Sequence, residues 1–449
     1  MYQVFTTFGL FQMLSNKFYK KAKNPIVFVP GLYGSMSDEI VPGSGEWGFG
    51  MAAPVYEPFV EKLEGLGFKK NKDLFIAFYD WRKACDGCAK QYLMEVINQA
   101  KTKCRARKVD IICHSMGGLV SRAYIQSKEY RYDVDNLIMI ATPNAGAVNA
   151  YYFWSGGQLP YEKDVKANIF RALLEGYIWV LEKVYGKGND MDTIHNSLKG
   201  AGDLIPAKKY GDFLYFLDSQ KQMNFLSYDR MKWRNTFLDG LNQNADILRR
   251  RRVKVTLICG KGVETNQHLQ IDKRAMHKDD RWSDGKVVGA SKSKEGDGTV
   301  MMKSVLAIEG DTYIVQGSHT DILGKCMFVI GKKLNIDTDH LYRSHHESPD
   351  HYVSILIHGK GRIKIAKLRF DDTVVLYDTQ NRTKDVYEEK IGDQARWIMI
   401  ANEEECKLSI EYVSPYNELV DIFVVDARGE KMRIEGKELK ENEVYQFIC

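Results

Sequence analysis

The chain has 449 residues, 44% hydrophobic and 27% charged, a composition that excludes a disordered or fibrous protein and leaves room for two domains. A formal net charge of +5 is too small at this size to indicate nucleic-acid binding, although it suits contact with an anionic lipid surface. No stretch is apolar for long enough to span a bilayer, and the eight cysteines show no paired framework. They read as free thiols of a reducing, cytoplasmic compartment, with a local Cys85–Cys88 disulfide as the lesser alternative. A zinc site would need a second such pair, so no metal is expected.

Residues 1–24 carry Phe5, Phe8, Phe11 and Leu14 at helical spacing, followed by Lys17, Lys20 and Lys21. Lysines after the apolar part are in the wrong order for a secretory signal. Two readings stay open: a helix packed on the body, or an amphipathic segment lying at a membrane surface. Pro25 to Val29 then reads as a buried strand running into Pro30-Gly31-Leu32-Tyr33-Gly34. A glycine-rich loop after a strand brings backbone N–H groups close to a bound group, but the Lys-Ser/Thr of a phosphate loop is missing. Residues 38–58 read as loop. Its Trp47, Phe49 and Met51 are either a lid or substrate wall, or core. A helix near Tyr56 to Leu66 and a strand from Leu74 to Tyr79 follow, ending in Asp80-Trp81-Arg82, most simply an ion pair that holds a loop.

After a helix from about Ala89 to Lys103 comes Val109 to Tyr124. A β-branched run, a tight corner at His114-Ser115-Met116-Gly117 and a helix are the setting that displays a nucleophilic serine. The usual G-x-S-x-G pattern has Cys113 in place of its first glycine. His114 sits beside Ser115 but points the other way along the turn, which makes it a weak candidate for the base. Asn136 to Ala141 is another strand, leading to Thr142-Pro143-Asn144-Ala145-Gly146. Strand–helix alternation over residues 25–147 calls for a mostly parallel sheet. Residues 149–246 break it with an aromatic, helical insertion, either a helical subdomain with an ordinary core or, the favoured reading, a movable cap that forms an apolar acyl pocket. Arg249 to Arg252 read as a helix C-terminal cap, with a membrane-surface role as the minority reading.

The sheet resumes at Val253 to Gly260. A polar stretch from Glu264 to Glu295 reads as loop, then Gly296-Asp297-Gly298 reads either as a plain turn or as the display of an acid after a strand and loop. The strand Thr312 to Val315 leads to Ser318-His319-Thr320. Ser115, Asp297 and His319 thus fall in the nucleophile–acid–base order of the α/β-hydrolases. In that chemistry Ser115 attacks an acyl carbon, His319 takes its proton and Asp297 orients the imidazole. Backbone N–H groups of Leu32 and Met116 would form the oxyanion hole. Tyr33, Trp81 and Trp47 are the candidates for the substrate pocket. His345-His346 read as exposed linker rather than metal ligands, and no cofactor is implied. From residue 348 to 449, short alternating strands separated by Gly, Asn or Asp turns indicate an all-β sandwich accessory domain, after a hydrolase domain over 25–347.

Six motifs in order, Val29-Pro30-Gly31-Leu32, Tyr79-Asp80-Trp81-Arg82, His114-Ser115-Met116-Gly117-Gly118, Thr142-Pro143-Asn144-Ala145-Gly146, Gly296-Asp297-Gly298-Thr299-Val300 and Ser318-His319-Thr320-Asp321, carry a resemblance. The chain resembles the lecithin:cholesterol acyltransferase-like lipases, a branch of the α/β-hydrolases that includes phospholipid:diacylglycerol acyltransferases. The resemblance covers about residues 24–324. It implies an acyl-enzyme on Ser115, the oxyanion hole at Leu32 and Met116, lipid acyl esters as substrate, and water or an alcohol as acceptor. Two rivals remain beside it: an esterase or thioesterase on small soluble substrates, and a non-catalytic lipid- or protein-binding member of the fold. The oligomeric state is open.

Overall fold

The structure is a computed structural model that describes residues 24–158, 169–186, 191–273, 281–336, 338, 351–368, 373–379, 381–402, 407–426 and 430–449. The amphipathic reading of the N-terminal segment and the His345-His346 pair lie outside the described residues. The centre is a six-stranded sheet of β1 (Ile26–Val29), β2 (Leu74–Ile76), β3 (Val109–His114), β4 (Val134–Ile140), β7 (Lys254–Lys261) and β10 (Asp311–Gln316). The strand order is β10-β7-β4-β3-β1-β2 and every pairing is parallel. Strands β1 and β3 are buried along their whole length, as apolar runs without alternation must be when both faces are covered. Because all six strands run the same way, the loops that follow β1, β3, β4, β7 and β10 emerge at one edge. That edge collects the candidate site.

The helices Met94–Cys104 and Met116–Gln126 pack on this sheet. Beyond β4 the insertion is helical, with Val148–Gly156, Ile169–Lys183, Met191–Ser197, Lys199–Gly202 and Thr236–Gln243, and it also carries the hairpin β5 (Leu214–Leu217) and β6 (Met223–Leu226). The stretch expected to be loop between Glu264 and Glu295 is instead two strands, β8 (Thr265–Asp272) and β9 (Lys286–Ser293), in a sheet of order β6-β5-β8-β9. Polar composition hid them. The Asn266 amide donates to Asn149 Oδ1 at 2.8 Å and His268 Nδ1 meets Ser291 Oγ at 2.9 Å, while Leu269 and Ile271 face the core. Polar strand residues are tolerated where they are paired.

The C-terminal part is two packed antiparallel sheets. One comprises β11 (His351–His358), β15 (Val386–Ile391), β16 (Ala395–Asn402), β18 (Glu418–Val425) and β19 (Lys431–Leu439). The other comprises β12 (Arg362–Leu368), β13 (Thr373–Asp378), β14 (Asn381–Arg382), β17 (Lys407–Val413) and β20 (Val444–Ile448). Sequence patterning finds seven of these ten strands. It misses β14, β15 and β19, all three edge strands, whose outward charged residues blur the alternation. Ile355, Ile357, Ile398 and Ile400 fill the space between the two sheets. Alternate residues on the same strands, Leu356, Trp397 and Met399, belong to the core of the α/β body. One sheet therefore serves two cores, as a two-residue side-chain period allows. At the junction Trp397 lies on Gly176, where a Cβ would come within 2.3 Å of its ring, and Lys431–Glu175 (3.0 Å) and Lys183–Asp421 (3.3 Å) flank it.

Candidate active site

Ser115 sits between β3 and the helix Met116–Gln126 with φ 53° and ψ −126°, a conformation that non-glycine residues rarely adopt. Its N–H donates to the Ile140 carbonyl at 2.9 Å, and its own carbonyl accepts from Gly118 N–H at 3.0 Å. The corner closes only on glycines. A Cβ on Gly117 would stand 2.4 Å from the Val29 and Pro30 carbonyl oxygens, and one on Gly118 would stand 2.0 Å from Thr142 Oγ1. Cys113 departs from the usual pattern yet fits, because its side chain turns into the core, where Sγ lies 3.4 Å from the Ile138 carbonyl. Burial pushes its thiol up to about 12, so it is inert as a nucleophile.

Asp297 and His319 meet beside this corner. Asp297 Oδ1 accepts from Thr299 N–H (2.9 Å) and Val300 N–H (2.7 Å), and Oδ2 faces His319 Nδ1 at 2.8 Å. The His319 main-chain N–H also donates to the Asp297 carbonyl, at 2.8 Å. A carboxylate that already accepts two amides is an acceptor toward the ring as well, so Nδ1 carries a proton and Nε2 is left basic. Asp297 gains its position from Gly260 at the end of β7, where a Cβ would fall 2.6 Å from Asp297 Cβ. The His319 carbonyl in turn accepts from His114 Nε2 at 2.9 Å, which ties the histidine loop to the residue preceding Ser115.

On the other side of Ser115 lies the loop after β1. A Cβ on Gly31 would come within 2.9 Å of Ser115 Cβ, so backbone replaces side chain there. Tyr79 and Trp81 hold this loop: Tyr79 Oη donates to the Pro30 carbonyl and Trp81 Nε1 to the Ser35 carbonyl, both at 2.9 Å. Leu32 follows Gly31 in this loop, and Met116 opens a helix whose first amides have no partner within the helix. Tyr33 packs edge-on against Trp81 at 4.5 Å, and Trp81 against Tyr177 of the insertion at 4.9 Å. Trp47 packs edge-on against Tyr92 at 5.5 Å, while Phe49 and Met51 are buried in the core. The Asp80–Arg82 pair is bidentate at 2.8 and 2.9 Å, and Arg82 reaches on to the Glu39 and Ile40 carbonyls, bracing the loop.

Sequence reasoning missed two residues behind the corner. Tyr56 Oη lies 2.9 Å from both Gly31 N and His114 Nδ1. Arg122 is fully buried and donates to Gln126, Asn144 and Asn242 oxygens, each at 3.0 Å. Burial, which disfavours the charged form, lowers its pKa to about 9. An arginine inside an otherwise apolar helix was the one signal for it. Tyr56 gave none, since its partners are 25 and 58 residues away.

A parallel sheet whose central strand turns through a positive-φ serine into a helix, with an Asp–His pair delivered by later strands of the same edge, is the α/β-hydrolase fold. Over residues 50–164 the chain matches the family model described as Lecithin:cholesterol acyltransferase, the family to which its motifs point. A curated relative, Phospholipase A(1) LCAT3 of Arabidopsis thaliana, is 35% identical over 95 residues, 20% of this chain. The match spans 21% of that relative's length. Solved structures with a similar chain trace include the mature lipase BlEst2 of Bacillus licheniformis, at 16% identity over 71% of this chain and 94% of that one, TM-score 0.34. Naproxen esterase from Bacillus subtilis has 11% identity over 70% of this chain and 84% of that one, TM-score 0.30.

Proposed function

We propose that this protein is a serine hydrolase of lipid acyl esters that works through an acyl-enzyme on Ser115. The observation that carries the reading is the strained serine corner placed beside a buried Asp297–His319 pair at one sheet edge. His319 Nε2 takes the Ser115 hydroxyl proton as Oγ bonds to the acyl carbon. The developing oxyanion is met by the N–H groups of Leu32 and Met116. His319 then returns the proton to the departing alcohol, leaving the acyl-enzyme, and activates the acceptor that releases the acyl group. Asp297 holds the imidazole and stabilises its charged form.

Lipid esters are favoured over small soluble ones by what surrounds the serine. Tyr33 and Trp81 offer an apolar wall continuous with Tyr177, and we assign residues 149–246 to the cap that completes it. Ser115 is only 8% exposed, so a long acyl chain reaches it when the cap shifts. No helix among the described residues is long and apolar enough to cross a membrane, so lipid is met from the surface on this reading. The covered site excludes water, which suits transfer to an alcohol as well as hydrolysis.

The test is a fluorophosphonate probe followed by product mass spectrometry from a mixed lipid extract. Wild type should label on Ser115 and release fatty acid, lysolipid or a new ester, and Ser115→Ala should do neither. A folded wild type that stays unlabelled would sink the proposal. Turnover of short esters without any gain on micellar long-chain esters would move it to the soluble-esterase rival.

A further inference from the structure

We infer that Tyr56 and His114 form a positioning pair that ties the oxyanion loop to the general-base loop through a one-way hydrogen-bond chain. The inference rests on the serine-hydrolase reading above. The chain follows from donor and acceptor chemistry alone. The His319 carbonyl only accepts, so His114 Nε2, 2.9 Å away, must carry the proton. A neutral imidazole has one N–H, so Nδ1 is the acceptor and the Tyr56 hydroxyl, at 2.9 Å, donates to it. The Tyr56 oxygen is then free to accept from Gly31 N–H, also at 2.9 Å. Each link has one direction, from Gly31 through Tyr56 and His114 to His319.

The links are rigid because nothing around them yields. Tyr56 and His114 are wholly buried, and the Tyr56 ring is stacked on Phe49 at 5.3 Å and set against Phe28 at 5.8 Å. A Cβ on Gly31 would strike Tyr56 Oη and Ser115 Cβ, both at 2.9 Å, so loop, relay and nucleophile share one point. The His114 ring lies 4.7 Å from that of His319. Burial and the neighbouring His319 lower its proton affinity, so it stays neutral while His319 gains a proton in the reaction. His114 is therefore a poor base and a good strut. Removing either residue frees the Gly31 loop and the His319 loop to drift relative to each other.

The experiment measures kcat, KM and the pH profile of Tyr56→Phe, His114→Leu and His114→Gln on a soluble short-chain ester, with the rate of fluorophosphonate labelling beside them. Tyr56→Phe and His114→Leu should lose about tenfold to a hundredfold in kcat with KM little changed, the scale expected of a small misplacement of reacting groups. His114→Gln should recover most of the loss, since its amide donates to the His319 carbonyl and accepts from Tyr56. The acid limb of the profile should keep its midpoint in all three, because His319 remains the base. A folded Tyr56→Phe protein with wild-type kcat and labelling overturns the inference, and so does a displaced acid limb in His114→Leu. Tyr56→Phe, nearly isosteric, carries the test if His114→Leu does not fold. Failure of the wild type itself to label strikes the underlying reading, and the pair's role falls with it.

Discussion

At the residue scale, each side chain in the site is held by geometry that a single substitution would expose. Asp297 accepts two amides and faces His319 Nδ1, so Asp297→Asn keeps the size of the side chain but offers an N–H where an acceptor is needed. The fold should survive, and kcat should fall by about 10⁴, as for loss of the orienting carboxylate elsewhere. Near-wild-type turnover by that variant would refute the role of Asp297. Gly117 is fixed by backbone rather than by side chains, since a Cβ there meets two carbonyl oxygens at 2.4 Å. Gly117→Ala should cost about 1–3 kcal/mol or more, read as a lower urea midpoint. An unchanged midpoint would mean that β1 and the helix Met116–Gln126 can move apart, against the packing described.

At the scale of elements, the insertion helix Ile169–Lys183 is clasped from two sides. Gly176 receives the Trp397 ring of β16, and Tyr177 of the same helix touches Trp81, which holds the loop after β1. Arg82 reinforces this contact by reaching Tyr177 Oη at 3.4 Å. Trp397 is fully buried and hydrogen-bonded through Nε1 to Ser354 Oγ at 2.9 Å. Trp397→Ala should therefore remove about 3–5 kcal/mol of stability. Through the loosened helix it should also raise KM for long-chain esters more than for short ones. Equal changes for both chain lengths would show that the helix does not form the acyl wall. The Thr142-Pro143-Asn144 segment does similar bracing behind the serine: Thr142 fills the notch left by Gly118, and Asn144 links Arg122 to the Val305 carbonyl at 2.8 Å.

At the scale of the whole molecule, one of the two C-terminal sheets packs into the core of the α/β body, and the junction carries a titratable group. Glu389 of β15 lies against Gly50, where a Cβ would come within 3.0 Å of its Oε1. Burial, aided by Glu388 and opposed by Arg382, raises its pKa to about 7. A carboxyl whose folded pKa exceeds its unfolded value favours folding when protonated. Its contribution is full below about pH 4.5 and is lost as pH rises through 7. Glu389→Gln should thus match wild type near pH 4 and exceed it above pH 8, by at most about 3 kcal/mol. Melting curves across that range decide it, and a constant difference would place the cost elsewhere.

The sequence by itself determined the strands of the central sheet, the serine corner and the order of serine, acid and base. Those features are local: β-branched runs, a glycine-flanked turn and residues that cannot continue a strand leave their mark within a few positions. It also indicated the structural reading of Asp80–Arg82, because partners two residues apart are legible in one dimension. Only the tertiary structure decided that β8 and β9 are strands, since their polar residues are satisfied by partners up to 117 residues away. The same holds for the partner of Trp47, since nothing in the sequence pairs it with Tyr92, whose ring lies 5.5 Å away. The Tyr56–His114 contact is a further case, because a hydrogen bond between groups 58 residues apart leaves no period, no motif and no compositional trace.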